Sequence, residues 1–160
     1  MPDNETENSC TVSNGSVPVP DLDPLFDPES VAVIGASPDS FYSGNLVKNL
    51  LDYGFDGTLY PVNPNRDNVW NRRCYDDIEA IPQTVDLVVV SVPRKHVVDI
   101  IESAGERGVP VALVLTAGFA EADETGVELE GQLAVAANET GIRVVGPNCI
   151  GVMSSEGATL

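Results

Sequence analysis

Val31-Ala32-Val33-Ile34-Gly35-Ala36-Ser37, then Pro38 to Ser43, then Gly44, is the stretch that decides how this chain folds. Val31 to Ile34 is a short apolar run rich in β-branched residues, the pattern of a strand buried on both faces in a parallel sheet. Gly35 ends it. Ala36 and Ser37 are small, so a ligand can approach the backbone closely. Beyond Gly44, Asn45 to Leu51 puts Leu46, Val47, Leu50 and Leu51 on one helical face. Strand, small-residue turn and helix together aim free backbone N–H groups and a helix dipole at an anion. Two readings stand at this point: a cradle for a phosphate-bearing cofactor, or an ordinary strand-to-helix turn. The dinucleotide fingerprint G-x-G-x-x-G is not met, because Ser37 holds the second glycine position and the next glycine comes late.

The rest of the chain repeats the same alternation. Thr58 to Val62 reads as a second strand, placed at an edge or a bulge because Pro61 removes a ladder donor. Asn65 to Tyr75 reads as a loop, and Asp77 to Ile81 as a short helix broken by Pro82. Val85 to Val92 is the clearest strand, ended by Pro93. Arg94 to Gly108 reads as a helix with Val97, Val98, Ile101 and Ala104 inward and Arg107 complementing its dipole. Val111 to Thr116 is a fourth strand. A helix lies within Glu121 to Thr140, with Leu129, Leu133 and Ala136 inward. Ile142 to Val145 is a fifth strand. Strands alternating with helices demand an α/β fold: a Rossmann-like, doubly wound parallel sheet of about five strands with helices on both faces. Residues 1–23 are acidic, polar and carry three prolines, so they read as a disordered tail. Residues 24–160 form the folded domain, with Leu25 and Phe26 against the sheet edge.

Charge narrows the partners. Lys and Arg number 8 against 25 Asp and Glu, a formal net charge of −17. Nucleic acid and anionic membranes are poor partners for such a chain, since both call for basic patches. A strongly acidic surface suits a high-salt cytoplasm, where self-repulsion is screened. No apolar run is long enough to span a membrane and no basic-then-apolar leader is present, so a cytoplasmic location is expected. Cys10, Cys74 and Cys149 show no metal-ligand spacing and form no disulfide framework.

In open α/β sheets the ligand crevice lies beyond the carboxyl ends of the strands. Here those ends are Gly35-Ala36-Ser37, Val62-Asn63-Pro64, Ser91-Val92-Pro93, Thr116-Ala117-Gly118-Phe119 and Gly146-Pro147-Asn148-Cys149. Five of the eight cations follow the second and third strands: Arg66, Arg72, Arg73, Arg94 and Lys95. That grouping predicts a rim that holds an anion. Nicotinamide-binding folds carry Asp or Glu at the end of the second strand for the ribose 2′-hydroxyl. Asn63 stands there, with Arg66 nearby, which favours a ligand with a phosphate on its ribose. His96, the only histidine, reads either as a general base or phosphate carrier or, the preferred reading, as a solvated helix-start residue. Cys149 reads as a nucleophile or, more in keeping with a strand end, as a small apolar filler. No metal cluster and no catalytic grouping stands out.

Taken together, these pieces resemble the CoA-binding domain of the ADP-forming acyl-CoA synthetases and the N-terminal domain of the succinyl-CoA synthetase α subunit. The matching pieces are Leu25-Phe26-x-Pro28-x-Ser30 through Ser37 with Gly44, Tyr60 to Pro64, Cys74-Tyr75, Asp86-Leu87 with Val92-Pro93, Ala117-Gly118-Phe119, and Gly146-Pro147-Asn148-Cys149-x-Gly151. The resemblance runs from about residue 24 to the C-terminus. It implies coenzyme A as the ligand, with Gly35, Ala36, Ser37 and the helix start by Gly44 at its phosphates. Asn63, Pro64 and Arg66 would border the adenosine, Val92 and Pro93 would line the adenine or pantetheine path, Asn148 and Cys149 would lie near the thiol end, and Val62 and Gly118 would complete the cofactor-binding set. It implies no catalytic residue here: the phospho-histidine and ATP-grasp parts belong to remaining domains or subunits of the ligase, and His96 does not match the carrier histidine. A stand-alone CoA-binding or regulatory module and an NAD(H)-binding redox domain are the alternatives. The resembling family has a glycine shortly before Cys74, where this chain reads Trp70-Asn71-Arg72-Arg73.

Overall fold

The computed structural model describes residues 21–153. The expected acidic tail lies, as far as residue 20, outside the described residues. A short helix α1 (Asp23–Phe26) leads into β1 (Ser30–Ile34), then α2 (Phe41–Asp52) and β2 (Thr58–Val62). A hairpin follows, β3 (Asn68–Val69) with β4 (Arg72–Arg73). Then come β5 (Leu87–Val90), a 3₁₀ turn at Arg94–His96, α3 (Val97–Glu106), β6 (Val111–Val114), α4 (Glu124–Thr140) and β7 (Arg143–Val145). The main sheet has the order β2-β1-β5-β6-β7, and its neighbouring strands are parallel. The chain first moves outward from β1 to β2, then crosses back over β1 to β5. That reversal opens a crevice outside the carboxyl ends of β1 and β5.

Both sheet faces are covered, which is why the strands read as unbroken apolar runs. Val31, Val33, Leu87, Val89, Val111 and Leu113 face α2, meeting Leu46, Val47 and Leu50, with Leu25 of α1 beside them. Ala32, Ile34, Val88, Val90, Ala112 and Val114 face α3 and α4, meeting Val97, Ile101, Ala104, Leu133 and Ala136. Full burial of each large aliphatic side chain contributes about 1.5–3 kcal/mol. Phe119, fully buried, wedges the turn after β6 against the second of these layers. At the start of β1, the Asp86 carboxylate accepts from the amides of Glu29 and Ser30 and from the Ser30 hydroxyl, which locks β1 to β5 in register.

Pro61 lies in an edge strand, as its missing donor requires. Its carbonyl accepts from Tyr75 N, and Asn63 N donates to Tyr75 O, so one residue of the following segment covers the open edge. Several expectations are corrected. Residues 65–75 hold the β3–β4 hairpin rather than only a loop; Trp70 (φ 51°) and Asn71 (φ 57°) make its two-residue turn. Two successive positive φ values are what that turn needs, and they replace the expected glycine. No helix forms at 77–81, where one turn closes by Ile81 N to Ile78 O, with Asp77 taking Ala80 N. Arg107 does not merely complement a dipole. It donates to the carbonyls of Glu79, Ile81 and Gln83 and to the Glu79 carboxylate, and so holds that turn in place. The last helix starts at Glu124, later than the start of the 121–140 stretch, because Asp123 caps it by accepting from Gly126 N at 2.7 Å.

Candidate functional site

At the β1 exit Gly35 takes φ +84°, and a Cβ there would lie 2.1 Å from Ser91 O, so no side chain fits. Gly35 N and Ala36 N both donate to Val62 O, at 2.9 and 3.1 Å, so neither amide is available to a ligand. Ser40 caps α2 by accepting from Ser43 N. The buried Ser43 hydroxyl donates back to Gly35 O at 3.2 Å and lies 3.4 Å from Ser37 O. Gly44 lets the helix lie against the turn: a Cβ would come within 2.7 Å of Pro38 O. What remains are the amides of Ser37, Asp39, Phe41 and Tyr42, which find no acceptor among the described residues. The donors that face an anion therefore sit one step later in the turn than Gly35-Ala36-Ser37 suggested. They coincide with the positive end of the α2 dipole.

The end of β2 closes the other side. Asn63 donates its side-chain amide to Ala36 O at 2.9 Å and accepts from Asn65 N at 3.0 Å. Asn63 thus staples the two strand exits together, a job no carboxylate could do toward a carbonyl. Arg66 reaches across to Ser37 Oγ at 3.2 Å and to the Asp39 carboxylate at 3.1 Å. Its guanidinium is the cation beside the unclaimed amides. Three of the other four cations of the expected rim find partners elsewhere. Arg94 binds Asp123 through both terminal nitrogens at 3.0 Å and donates to Gly118 O. Arg73 lies over the Tyr75 ring, and Arg72 donates to Trp70 O.

Next to this turn a cleft of about 660 Å³ runs between β2 and α3. It gathers Gly35, Val62, Asn63, Pro64, Val92 and Pro93 in one wall. His96, read above by preference as a solvated helix-start residue, lines it too, together with Asp99, Asp76, Asp77 and Glu79, which the sequence did not single out. His96 and Asp99 share the first turn of the helical segment, and the acidic run at 76–79 faces them across the gap; that pairing of spacings was the available signal. Four carboxylates and one imidazole make a poor bed for phosphate. They suit neutral groups that carry N–H donors, such as an amino-purine or an amide chain. Arg66 and the unclaimed amides of the turn offer an anion a better bed than this cleft does.

Gly118, Asn148 and Cys149 lie elsewhere along the same sheet end. Gly118 N and Phe119 N are taken by the Glu121 carboxylate at 2.7 and 3.1 Å, and Ala120 N by Glu130 at 3.0 Å. The Gly118 bond, with Phe119 and Arg94 adding to it, holds the Glu121 carboxyl below its ordinary range; Arg94 does the same for Asp123. Asn148 takes φ 55° and donates its amide to Thr116 O, while Cys149 N approaches Val114 O. Cys149 is half-buried, with its thiol 3.4 Å from Gly151 O, and it packs against the α2 face of the core. Cys74 is buried beneath the hairpin, and burial pushes its thiol up. Among the described residues no cluster of His, Cys, Asp and Glu could hold a metal ion, and no helix is long and apolar enough to cross a membrane.

A family model described as CoA binding domain matches residues 29–155. The chain belongs to the CoA-binding domain family. Coenzyme A is thus the ligand of this domain. Acetate–CoA ligase (ADP-forming) II of Archaeoglobus fulgidus is 42% identical over 139 residues, covering 86% of this chain and 21% of that protein. The α subunit of acetate–CoA ligase (ADP-forming) II of Pyrococcus furiosus is 40% identical over 135 residues, 84% of this chain and 29% of that subunit. The apo structure of a dinucleotide forming acetyl-coenzyme A synthetase 1 of Ca. Korarchaeum cryptofilum shares the fold with a TM-score of 0.79 and 40% identity, over 87% of this chain and 31% of that one. This CoA-binding domain therefore spans between a fifth and a third of the length of these proteins.

Proposed function

We propose that this domain holds coenzyme A for acyl transfer from an acyl phosphate, as one part of an ADP-forming acyl-CoA ligase working in the cytoplasm. The observation that carries the reading is the CoA-binding family match across nearly the whole described fold, joined to relatives that are ADP-forming acetate–CoA ligases. The β1 exit supports it chemically. The unclaimed amides of Ser37, Asp39, Phe41 and Tyr42 receive the pyrophosphate, and Arg66 receives the ribose 3′-phosphate through charge-assisted bonds. The adenine or the pantetheine amides occupy the cleft walled by Val62, Asn63, Pro64, Val92 and Pro93. Gly118, Asn148 and Cys149 flank the far end of the sheet, toward the thiol.

In the transfer itself the CoA sulfur attacks the acyl carbon and phosphate departs. This chain's part is to bind and orient the thiol. We assign the phospho-carrier histidine and the nucleotide-grasping part to remaining domains or subunits, and give His96 a place in the cleft wall rather than a catalytic step. The test has two arms. Calorimetry at high salt should give CoA a lower Kd than NAD or NADP; NAD as the tighter ligand overturns the assignment. A coupled assay with acetate, ATP, magnesium and CoA should show turnover only when the remaining domains are supplied. Turnover by the chain alone, abolished by His96→Ala, overturns the division of labour. CoA binding without turnover after those domains are added leaves the reading of a binding module without catalysis.

A further inference from the structure

We propose that Asp39 is a built-in competitor for Arg66, which sets how tightly, and for how long, a ligand's phosphomonoester is held. The proposal rests on the reading of the β1 exit as the ribose-phosphate site. Asp39 is the only charged residue in the turn from Ser37 to Gly44. A carboxylate is the wrong charge for a turn that aims amides and a helix dipole at an anion. Its place in the geometry is specific: the oxygen lies 3.1 Å from Arg66 Nη2, the same nitrogen that reaches Ser37 Oγ at 3.2 Å. Arg66 is therefore already swung over the turn, oriented by Ser37, with an internal anion on the nitrogen a ligand anion would use. Arg66 N–H···O bonding to Ser37 survives the exchange, so the guanidinium need not be repositioned.

The exchange is cheap and selective. The side chains of Asp39 and Arg66 are 84% and 39% exposed, so the pair is solvated and held weakly. A phosphomonoester carries a charge of about −1.5 to −2 at neutral pH and offers three acceptor oxygens, so it outcompetes one carboxylate. A ribose hydroxyl does not. As a phosphate oxygen lets go of Arg66, Asp39 takes the guanidinium before it can rebind, which speeds departure. That suits a domain whose ligand must be released acylated.

The test is calorimetry and stopped-flow dissociation on the whole chain, with CoA and dephospho-CoA, for wild type, Asp39→Asn, Arg66→Ala and the double variant. Asp39→Asn should tighten CoA about two- to fivefold, mostly by slower dissociation, and change dephospho-CoA less than that, since an exposed ion pair of up to about 1 kcal/mol corresponds to at most about fivefold. In the Arg66→Ala background the extra gain for CoA should vanish. Equal gains for both ligands, or a gain that persists without Arg66, would reduce Asp39 to one negative charge among many and overturn the proposal. If Arg66→Ala lowers CoA selectively while Asp39→Asn does nothing, only the competitor fails. Should Arg66→Ala weaken both ligands equally, the ribose-phosphate reading fails and takes the competitor with it. Thermal melts keep misfolding apart from binding.

Discussion

Two strand exits of this sheet are built alike and end up with opposite fates. After β1 and after β6 the chain turns on a glycine with positive φ, Gly35 at +84° and Gly118 at +98°, and enters a helix. Both turns present backbone amides. At the β6 exit three successive amides are filled from within, two by Glu121 and one by Glu130, while Asp123 caps α4 and grips Arg94. At the β1 exit no carboxylate among the described residues takes an amide, and Asp39, which comes near, takes Arg66 instead. In a chain with 25 acidic residues, self-satisfaction of amide turns is the default. The turn left open is the informative one, and an amide-rich turn means little until the neighbouring carboxylates have been located.

The strongest way to break this comparison is to fill each turn. Gly35→Ala meets Ser91 O at 2.1 Å in a left-handed backbone, so strain and overpacking should together cost roughly 2–5 kcal/mol. Gly126→Ala meets Phe119 O at 1.9 Å in ordinary helical backbone and should cost about 1–3 kcal/mol from overpacking. Denaturant unfolding measures both losses. The decisive readout is binding: Gly35→Ala should lose CoA affinity more than tenfold at a temperature where it stays folded, while Gly126→Ala should keep it. Equal binding losses would mean the two exits serve the ligand alike.

Next in size is Arg66→Ala, which should weaken CoA relative to dephospho-CoA by roughly 1.5–3 kcal/mol, since one charge-assisted contact to the 3′-phosphate is removed. Arg94→Ala supplies the contrast. Its guanidinium is committed to Asp123 and Gly118 O, so the variant should lose stability and leave the ratio of the two affinities alone. A changed ratio in Arg94→Ala would return that cation to the ligand rim.

The fold was legible because its strands are buried on both sides. Runs such as Leu87 to Val90 carry no polar alternation and admit only a covered parallel sheet. Pro61 called for an edge or a bulge, and the strand lies at the edge. The hairpin escaped notice because its turn is Trp70-Asn71, without the glycine that usually marks two positive φ values. That Gly35, Val62, Asn63, Pro64, Val92 and Pro93 share one cleft was legible from the strand ends. Which amides are free did not. That depends on Val62 O reaching Gly35 and Ala36 across the sheet, a contact between residues 26 or more apart. The grouping of cations failed for the same reason: Arg72, Arg73 and Arg94 all follow the second and third expected strands, yet they find their partners in three different directions.

Salt acts on both exits at once. With a net charge of −17, screening should raise the melting temperature as KCl goes from low to molar concentration, because repulsion among the many unpaired carboxylates outweighs the few exposed ion pairs that salt weakens. Scanning calorimetry across that range checks it. A flat or falling melting temperature contradicts the expectation of a protein adapted to high salt.

The smallest effect sharpens the comparison most finely. Glu121 binds two amides and its carboxyl is held down first by Gly118 N, with Phe119 N and Arg94 adding to it, so folding prefers its charged form. A carboxyl whose folded pKa lies below its unfolded value stabilises the fold above the unfolded pKa. That contribution fades as pH falls through the folded value. Glu121→Gln removes the charge but keeps the shape. The variant should therefore melt lower than wild type at pH 7, the gap should begin to close as pH falls through the ordinary glutamate range, and it should vanish only below the folded value, where the wild-type carboxyl also becomes neutral. Asp123, held down by Arg94, remains in both proteins and cancels from the difference. CoA affinity should not move, because the amides that Glu121 fills are not those proposed to receive the ligand. A gap in melting temperature that stays constant from pH 7 to pH 3 would show that Glu121 acts by packing, and an altered CoA affinity would show that the filled turn and the open one are coupled.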